Sequence, residues 1–353
     1  MTHKHLNTAK TNKADEFYTQ MSDIVEEMRN YRKFFHNKVI YCNCDDPYES
    51  YFFKYFALSF NKLKLKKLIA TSYIDSPIAS KQLTLFDFEP DNDKTTKNPH
   101  KIVISELIDE NEDGGVKYAE VEHLLRNKKN VLTRLKGNGD FRSQECIDLL
   151  KESDIVITNP PFSLFREYVA QLIDFDKKFI IIGNTNALTY KEIFKLIKEN
   201  KIRTGYTNFN VGMFFYVPDS YEKYHKIENG QKLVRVAPTC WFTNFEVSRH
   251  YENLSLYKKY NPDEFPHYDN YDAIEVSKVT DIPYDWEGVM GVPLSFLDKY
   301  NPKQFEIIGL SASAGYNPDI VGIEKKQGFK DARPNIDGKV TYARVFIKKI
   351  GEL

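Results

Sequence analysis

Several features that would place a chain in a membrane, on a secretory route or among phosphate-loop enzymes are absent from this sequence. No apolar run approaches the roughly 20 residues that a membrane-spanning helix needs. Residues 1–13, MTHKHLNTAKTNK, lack the apolar core of a secretory signal, so we expect a cytoplasmic protein. No G-x-x-x-x-G-K motif is present, and no G-x-G-x-x-G follows the first predicted strand, so a phosphate-cradling loop is not indicated.

Cysteine is scarce, and positive charge is not in excess. The 353 residues include only four cysteines, Cys42, Cys44, Cys146 and Cys240. They form no disulfide framework, and Cys42-x-Cys44 has no second pair at zinc-ligand spacing, which indicates reduced thiols and no metal site. The 50 Lys and Arg residues balance 50 Asp and Glu, which argues against a strongly basic nucleic-acid binder but leaves room for local basic patches.

The central part of the chain alternates between strand and helix patterns. Apolar runs typical of buried strands occupy residues 38–44, 66–74, 154–158 and 177–185. Helical spacing of apolar residues occurs at 48–60, 143–153, 165–175 and 190–201. This alternation predicts an α/β domain with a mainly parallel sheet covered on both faces. Two aromatic runs, 211–218 and 235–245, are expected to pair antiparallel at the edge of that sheet.

The character of the sequence changes near residue 250. The chain is long enough for one large domain and a smaller one. We therefore expect a domain over residues 1–250, with a polar insertion at about 76–100. Residues 251–353, rich in Tyr, Pro and Asp with little periodicity, are expected to form an irregular C-terminal lobe.

Acidic residues lie close to the ends of the predicted strands. Asp45 and Asp46 follow the first strand, Asp75 follows the second, and Asp140 precedes the helix before the strand at 154–158. Ligands of an open parallel sheet bind beyond the carboxyl ends of its strands. Carboxylates there suit a ligand with ribose hydroxyls, an amine and a positive centre, and S-adenosylmethionine has all three. Each acid taken singly is also explained as a helix N-cap.

The stretch SDIVITNPPFSLF, residues 153–165, ends a buried strand with Asn159, Pro160, Pro161 and Phe162. Strand termination explains the prolines, which cannot donate to a sheet ladder, but not an aromatic residue in a loop. An amine conjugated to an aromatic ring is a poor nucleophile, and two acceptors aimed at its N–H groups help it to become tetrahedral. The Asn159 side-chain carbonyl and the Pro160 backbone carbonyl could supply them, while Phe162 stacks on a planar base. The motif therefore predicts methyl transfer to an aromatic amine without a metal.

The N-P-P-F motif after an apolar strand resembles the catalytic motif of amino-group methyltransferases. Six segments, in the same order and across most of the chain, resemble the EcoRI-type adenine-specific DNA methyltransferases. They are ADEFYTQ (14–20), VIYCNCDDP (39–47), FFKYFA (52–57), GDFRS (139–143), DIVITNPPFSLFREY (154–168) and MGVPLSFLDKYNPKQFE (290–306). The resemblance implies a Rossmann-like, seven-stranded S-adenosylmethionine-dependent methyltransferase core as the catalytic domain, with a C-terminal lobe that contributes to DNA recognition.

The resemblance also implies a reaction and a target. Methyl transfer from S-adenosylmethionine to adenine N6 in duplex DNA, by base flipping and direct in-line transfer, is the activity expected of the modification enzyme in a restriction-modification system. GAATTC is the default target. Residues 76–136 and 204–236 resemble the family only weakly and could alter target choice. The side chains that could read bases, each of which is also explained as an ordinary surface residue, are Asn208, Asn210, Arg235, Arg249 and Lys258.

Family motifs assign site residues as well. The implied catalytic residues are Asn159, Pro160, Pro161 and Phe162. Those implied at the methionine end of the cofactor are Phe17, Tyr18 and Thr19. The residues that replace the usual Gly-rich first loop are Asn43, Cys44, Asp45, Asp46 and Pro47. The remaining implied cofactor contacts are Asp75 at the ribose, Asp140 and Phe141 at the adenine, and Asn159.

Other classes of function remain open from the residues. N-P-P followed by an aromatic residue also occurs in enzymes that methylate a protein glutamine amide or the amino group of a guanine in RNA. A non-catalytic DNA-binding module that keeps a cofactor fold is a further alternative, although it has no need of an intact N-P-P-F tetrad.

A short peptide in the predicted insertion indicates a further partner. Gln82, Leu83, Thr84, Leu85 and Phe86 resemble the peptide by which many bacterial proteins bind the replicative sliding clamp. Leu85 and Phe86 would fill an apolar pocket while Gln82 contacts its rim. The competing interpretation is that Leu83, Leu85 and Phe86 pack on the domain as an alternating strand.

Overall fold

The computed structural model describes residues 18–44, 50–73, 99–107, 132–207, 209, 211–217, 222–228, 230–311 and 316–351. The chain divides into two compact units. The first consists of the described parts of Met1–Asn184 and Gly205–Thr243, and the second of those of Thr185–Thr204 and Asn244–Leu353. Within the described residues, no helix is both long enough and apolar enough to cross a membrane. All four cysteines lie in this part of the chain, and no disulfide joins any two of them.

The strands predicted at 38–44, 66–74, 154–158 and 177–185 are found, and so are the helices predicted at 48–60, 143–153, 165–175 and 190–201, the first of them as two short helices. In chain order the strands are β1 (Tyr18–Thr19), β2 (Val39–Cys42), β3 (Lys67–Thr71), β4 (His100–Ile104), β5 (Leu132–Arg134), β6 (Ile155–Thr158), β7 (Lys178–Asn184), β8 (Arg203–Thr204), β9 (Val211–Val217), β10 (Lys226–Glu228), β11 (Gln231–Thr243), β12 (Ile274–Glu275), β13 (Met290–Val292), β14 (Phe305–Ser311), β15 (Asn335–Ile336), β16 (Lys339–Val340) and β17 (Arg344–Lys349). The α-helices are α1 (Met21–Met28), α2 (Tyr51–Leu58), α3 (Phe60–Leu63), α4 (Gln144–Glu152), α5 (Phe165–Asp174), α6 (Lys191–Lys198) and α7 (Pro318–Val321). The 3₁₀ helices are Arg32–Phe34, Phe162–Leu164, Thr185–Thr189, Ser248–Tyr251, Val279–Asp281 and Leu294–Asp298.

The first unit is built on one sheet with the strand order β1-β9-β11-β7-β6-β2-β3-β4-β5, and β10 pairs with β11. Its centre is parallel: β2 pairs with β3 and β6, and β6 pairs with β7. Every residue of β2 and of β6 is buried, as expected for central strands covered on both faces. The predicted pairing of the two aromatic runs is confirmed, because β9 and β11 are antiparallel neighbours.

The prediction of a mainly parallel sheet is wrong on both sides of this centre. β4 runs antiparallel to β3, β5 antiparallel to β4, and β11 antiparallel to β7. The α/β class is confirmed, and the sheet is mixed. An apolar run indicates that a strand is buried, whereas the direction of the strand depends on the connection that leads into it.

Helix α5 shows how the helices cover this sheet. Its buried residues Phe165, Tyr168, Val169 and Leu172 recur at the spacing of one helical face. The Phe165 ring lies 4.9 Å from the ring of Phe242 on β11, measured between centroids. A Cβ at Gly183 on β7 would come within 2.6 Å of the Phe165 ring, so glycine there lets the helix approach the sheet closely. The start of α5, just after the N-P-P-F motif, is therefore fixed against the sheet.

The second unit contains a small sheet with the strand order β12-β13-β17-β14, so the lobe expected to be irregular has a regular sheet within it. β12 has two residues and β14 has seven, and aperiodic segments join them, which explains why sequence periodicity did not reveal these strands. A buried ion pair joins Arg344 on β17 to Glu275 on β12, with Nη2 and Oε1 2.6 Å apart. Tyr268 and Phe346 belong to the apolar core of this unit.

Candidate cofactor and catalytic site

Three parallel strands of the first unit end at one edge of the sheet, and predicted site residues follow two of them. Asn43 comes directly after β2, Ser72 directly after β3, and Asn159 directly after β6. Since β3, β2 and β6 are adjacent and parallel, these residues lie along the carboxyl edge, where ligands of such sheets bind.

The loop after β2 is held from inside the protein. Asn43 is buried, and its side-chain oxygen accepts a hydrogen bond from the Tyr168 hydroxyl and a weak one from the Cys44 thiol, whose sulfur is 3.8 Å away. The Thr71 hydroxyl at the end of β3 donates to the Asn43 carbonyl over 3.4 Å. The first residues of the predicted cofactor loop are thus fixed by the neighbouring strand and by α5.

The loop that carries Asp140 and Phe141 is pressed against the end of β3. Gly139 has a φ of +76°, and a Cβ there would lie 2.0 Å from the Ser72 carbonyl oxygen, so only glycine allows this approach. The Phe141 ring contacts the Tyr168 ring edge-on, with centroids 5.1 Å apart. The Phe141 carbonyl accepts a hydrogen bond from the Gln171 side chain over 3.1 Å. Phe141 is therefore fixed by α5 as well as by its own loop.

The Asp140 carboxylate is bound by Arg142. Hydrogen bonds from the Arg142 side chain are the main cause that holds the pKa of Asp140 below its usual range, although partial burial opposes the shift. Arg142 also forms an ion pair with Glu167 on α5, with 3.0 Å between Nη1 and Oε2. The Asp140 carboxyl group is therefore ionised at neutral pH and fixed in orientation.

The N-P-P-F segment turns from β6 into the 3₁₀ helix Phe162–Leu164. Asn159, Pro161 and Phe162 are half-buried, and Pro160 is buried. The Pro161 carbonyl accepts the Leu164 N–H over 3.0 Å, whereas no donor among the described residues occupies the Pro160 carbonyl. The acceptor capacity of the Pro160 carbonyl is therefore not taken up by a described residue.

The N-terminal segment joins the same unit as an edge strand. β1 pairs antiparallel with β9, with Thr19 opposite Phe215. Glu27 on α1 is fully buried and accepts hydrogen bonds from the Tyr206 and Thr207 backbone N–H groups, at 2.7 and 2.8 Å. Burial raises the pKa of Glu27, and the hydrogen bonds that it accepts oppose that shift. These contacts fix the segment that carries Thr19.

Several predicted residues lie outside the described part of the chain. They are Phe17, Asp45, Asp46, Pro47 and Asp75, together with Gln82, Leu83, Leu85 and Phe86 of the predicted clamp peptide. Of the other predicted cofactor residues, Tyr18 and Thr19 lie on β1, and Cys44 follows Asn43. The structure thus describes only part of the predicted cofactor site.

The candidate base-reading residues differ in their surroundings. Asn208 and Asn210 lie outside the described residues, and Arg235 is exposed on β11. Arg249 forms an ion pair with Asp298 at 2.7 Å, and its side chain is only 15% exposed. Lys258 pairs with Glu264 at 2.8 Å. Among the described candidates, Arg235 is therefore the most accessible to a large partner.

Sequence reasoning missed Tyr168 and Arg142, although both lie in segments that it used. Tyr168 is three positions after Phe165 on α5, so the helical spacing of the buried face would have directed it inward. Arg142 follows Asp140 by two positions, close enough for a local contact between a guanidinium and a carboxylate. The helical spacing of α5 could therefore have identified Tyr168, and the two-residue spacing between a carboxylate and a guanidinium could have identified Arg142.

An α/β sheet with N-P-P-F at the carboxyl end of a central strand, beside a loop that carries Asp140 and Phe141, is the arrangement expected of an amino-group methyltransferase. The model of the family described as "Adenine-specific methyltransferase EcoRI" matches residues 5–350 of the chain. The chain belongs to this family of adenine-specific methyltransferases.

Curated relatives match over nearly the whole chain. It is 44% identical to Type II methyltransferase M.EcoRI of Escherichia coli, over 98% of this chain and 97% of the relative. It is 39% identical to Type II methyltransferase M.MgeORF184P of Mycoplasma genitalium, over 98% of each chain. It is 36% identical to Type II methyltransferase M.MpnI of Mycoplasma pneumoniae, again over 98% of each. No solved structure matches the chain.

The methyl donor of such an enzyme is S-adenosylmethionine, and the described residues fit it. The Thr19 hydroxyl is buried and has no hydrogen-bond partner among the described residues. A buried polar atom without a hydrogen bond lowers stability, unless a bound ligand supplies that hydrogen bond. A mixed α/β sheet fits a methyltransferase fold. The Asp140 carboxylate and the Phe141 ring are a hydrogen-bond acceptor and an apolar surface, the kinds of group that could hold an adenine.

Proposed function

We propose that this methyltransferase modifies adenine N6 at a specific site in duplex DNA, with Asn159, Pro160, Pro161 and Phe162 as its catalytic residues. The observation that carries the proposal is the position of these residues at the carboxyl end of β6, next to the Asn43 loop after β2. The proposed seven-stranded core consists of the consecutive neighbours β9, β11, β7, β6, β2, β3 and β4.

The proposed chemistry depends on two hydrogen-bond acceptors and one ring. When bound, S-adenosylmethionine supplies a methyl group activated by its sulfonium. The Asn159 side-chain carbonyl and the Pro160 carbonyl accept the two N6 hydrogens, which favours a tetrahedral amine with an available lone pair. Phe162 stacks on the adenine and sets its plane. The amine is thereby held for direct in-line transfer, and its proton leaves to water.

The proposed cofactor residues follow the same edge of the sheet. Thr19 and the neighbouring residues Phe17 and Tyr18 are proposed to hold the methionine end of the cofactor. Residues 43–47 are proposed to line the middle part of the cofactor, and Asp75 is proposed to contact its ribose. Asp140 and Phe141 are proposed to hold its adenine, because Arg142 fixes the carboxylate and α5 fixes the ring.

Access to the target requires base flipping. The N6 amine of a stacked adenine cannot reach a donor that is bound at the edge of a sheet, so the nucleotide has to leave the helix. A duplex with 2-aminopurine at the target position should brighten on binding, and Phe162 should quench part of that signal. Flat fluorescence during active methylation would exclude flipping at the labelled base.

Target choice is proposed to reside after residue 205. The methyltransferase domain is proposed to span residues 1–250, with an extension over 251–353 that contributes to DNA recognition. Arg235 is exposed on β11 and could contact guanine in the major groove. Exchange of residues 206–236 with those of a relative of different specificity should change the methylated sequence. An unchanged methylome would place recognition elsewhere.

The decisive experiment compares substrates side by side. Purified protein with methyl-labelled S-adenosylmethionine should label duplex DNA that contains GAATTC, and should leave RNA and protein unlabelled. A duplex with the adenines of that site altered is the matched control. Methylome sequencing of a host that expresses the chain identifies the methylated sequence directly. A methylated sequence other than GAATTC would reject that target but would still support adenine methylation of DNA. Preferential labelling of RNA guanine or protein glutamine would reject the DNA assignment.

The sliding-clamp peptide stays a separate proposal. It rests on the sequence of Gln82, Leu83, Leu85 and Phe86 alone. A pull-down with purified clamp should retain the wild-type protein and lose the double variant Leu85→Ala/Phe86→Ala. Equal retention of both proteins, or of neither, would reject the contact.

A further inference from the structure

Among the described residues, only Arg142 donates hydrogen bonds to the Asp140 carboxylate, and it donates three. Oδ1 accepts the Arg142 backbone N–H over 2.8 Å and the side-chain Nε–H over 2.9 Å. Oδ2 accepts Nη2–H over 2.7 Å. Because the guanidinium fork is planar and contacts both oxygens, it fixes the rotation of the carboxylate as well as its position.

One acceptor position of the carboxylate remains. An ionised carboxylate has about four lone-pair sites, and Arg142 fills two on Oδ1 and one on Oδ2. No other donor to the Asp140 carboxylate is found among the described residues. The Asp140 side chain is only 16% exposed, whereas that of Arg142 is 49% exposed. The remaining lone pair is therefore partly shielded from water and points in a fixed direction.

The same arginine also contacts the neighbouring aromatic ring. Its guanidinium carbon lies 5.2 Å from the centroid of Phe141. Its Nη1 binds Glu167 on α5, the helix that also supplies the Tyr168 contact to Phe141. Arg142 thus links an oriented acceptor and an oriented ring, which are the two features that recognise a planar base with an amino group.

We propose that Arg142 is a positioning residue that directs the remaining Asp140 lone pair to the exocyclic amine of the cofactor's adenine. The site thereby selects a 6-amino purine over a 6-oxo purine. An amine donates a hydrogen bond to the carboxylate. A carbonyl oxygen at the same place has no hydrogen to donate, so its lone pair and that of the carboxylate repel each other. This inference rests on the proposed roles of Asp140 and Phe141 as adenine contacts.

An ordinary surface ion pair is the competing explanation, and the chain contains a matched example of one. In the second unit Asp331 and Arg333 are also two positions apart. Asp331 Oδ1 accepts the Arg333 backbone N–H over 2.9 Å and Nε–H over 3.1 Å, and Oδ2 accepts Nη2–H over 2.6 Å. Surface pairs of this kind contribute little to stability. Arg333→Gln therefore removes the same local contact at a residue that has no assigned role in the proposed adenine site.

The test measures two affinities for each full-length variant by titration calorimetry. The probes are S-adenosylhomocysteine and S-inosylhomocysteine, which differ in the 6-amino and 6-oxo groups. Wild type should prefer the adenine compound by about 10- to 100-fold, the range expected for one hydrogen bond to a charged group. Arg142→Gln should reduce that ratio by about 5-fold or more. Arg333→Gln should keep the wild-type ratio.

A charge-conserving variant separates geometry from charge. Arg142→Lys keeps a cation near Asp140 but cannot bridge both oxygens, so it should discriminate as poorly as Arg142→Gln. In steady-state assays, the KM for S-adenosylmethionine should rise more than kcat falls in both variants. Thermal unfolding of each variant shows that the protein tested is folded.

Three results would overturn the inference. They are an unchanged ratio in folded Arg142→Gln, a wild-type ratio in Arg142→Lys, and an equal loss in Arg333→Gln. If wild type itself does not prefer the adenine compound, the roles of Asp140 and Arg142 fail together. DNA methylation by that same wild-type sample would then show that the proposed function stands without them.

Discussion

The Tyr168 hydroxyl donates a hydrogen bond to the side-chain oxygen of Asn43, which joins residues 125 positions apart in the chain. Both side chains are buried. Tyr168 lies on α5, which begins soon after the proposed catalytic segment, and Asn43 begins the loop after β2. The bond therefore connects the helix that follows the proposed base-binding segment with the loop proposed to hold the cofactor.

Tyr168→Phe should weaken cofactor binding. Among the described donors, the change leaves the buried Asn43 oxygen with the weak Cys44 thiol at 3.8 Å, and a buried acceptor that loses its donor costs about 1–3 kcal/mol. We expect the affinity for S-adenosylhomocysteine, measured by calorimetry, to fall about 10-fold. Tyr342→Phe is the control, because that residue is 81% exposed. Equal affinities of the two variants would show that the Asn43 loop does not need this bond.

Asn159→Ala should separate chemistry from cofactor binding. The variant loses one acceptor for the target amine, so the single-turnover rate should fall by roughly 100-fold or more, the scale of one preorganised polar contact. Cofactor affinity should change much less. Asn159→Asp, which keeps an acceptor at the same position, should retain more activity than Asn159→Ala. A near-normal single-turnover rate in the alanine variant would remove Asn159 from the catalytic assignment.

Gly139→Ala should disturb the adenine end of the proposed cofactor site. The new Cβ would lie 2.0 Å from the Ser72 carbonyl oxygen, so the loop with Asp140 and Phe141 has to move away from β3. We expect cofactor affinity to fall by about 10-fold or more. Gly230→Ala is the matched control: Gly230 also has a positive φ, +78°, but nothing lies within 4 Å of its Cβ position. A similar loss in both variants would assign the effect to backbone strain alone, which costs about 1–2 kcal/mol.

The second unit should lose stability as the pH falls from neutral, in part because of His250. Burial is the main cause that lowers the pKa of His250 to about 4, and the residue is only 6% exposed. The unfolded chain takes up the proton near pH 6.5, and the folded chain near pH 4. The stabilisation is therefore complete above pH 6.5 and is lost as the pH falls towards 4.

The size of this effect can be measured by denaturant unfolding at about pH 7.5 and pH 5. His250 should account for about 2 kcal/mol of the loss between these values. His250→Gln keeps a side-chain N–H that can donate to the Thr204 carbonyl, which lies 3.0 Å from the imidazole Nε2, and does not titrate. Its stability should therefore depend less on pH than that of wild type. Identical pH slopes in the two proteins would assign the loss to other groups.

The pattern of apolar residues along the chain was sufficient to predict the central strands and helices of the first unit. The strand at 154–158 and the helix at 165–175 could be predicted because each is long enough for its apolar pattern to show, and the structure has them as β6 and α5. The two aromatic runs were also sufficient to predict the antiparallel pair β9 and β11. Strand direction at the sheet edges was not predictable, because an apolar run such as that of β4 looks the same in either direction.

Residue types alone identified the family and the candidate chemistry, because N-P-P-F, GDFRS and the other motifs are short local segments that carry their own signal. The side chains that hold those motifs in place became visible only in three dimensions. Tyr168 meets Asn43, and Gly139 meets Ser72, through contacts between segments that are far apart in the chain. Such contacts depend on how strands and helices pack, and no local pattern of residues specifies that packing.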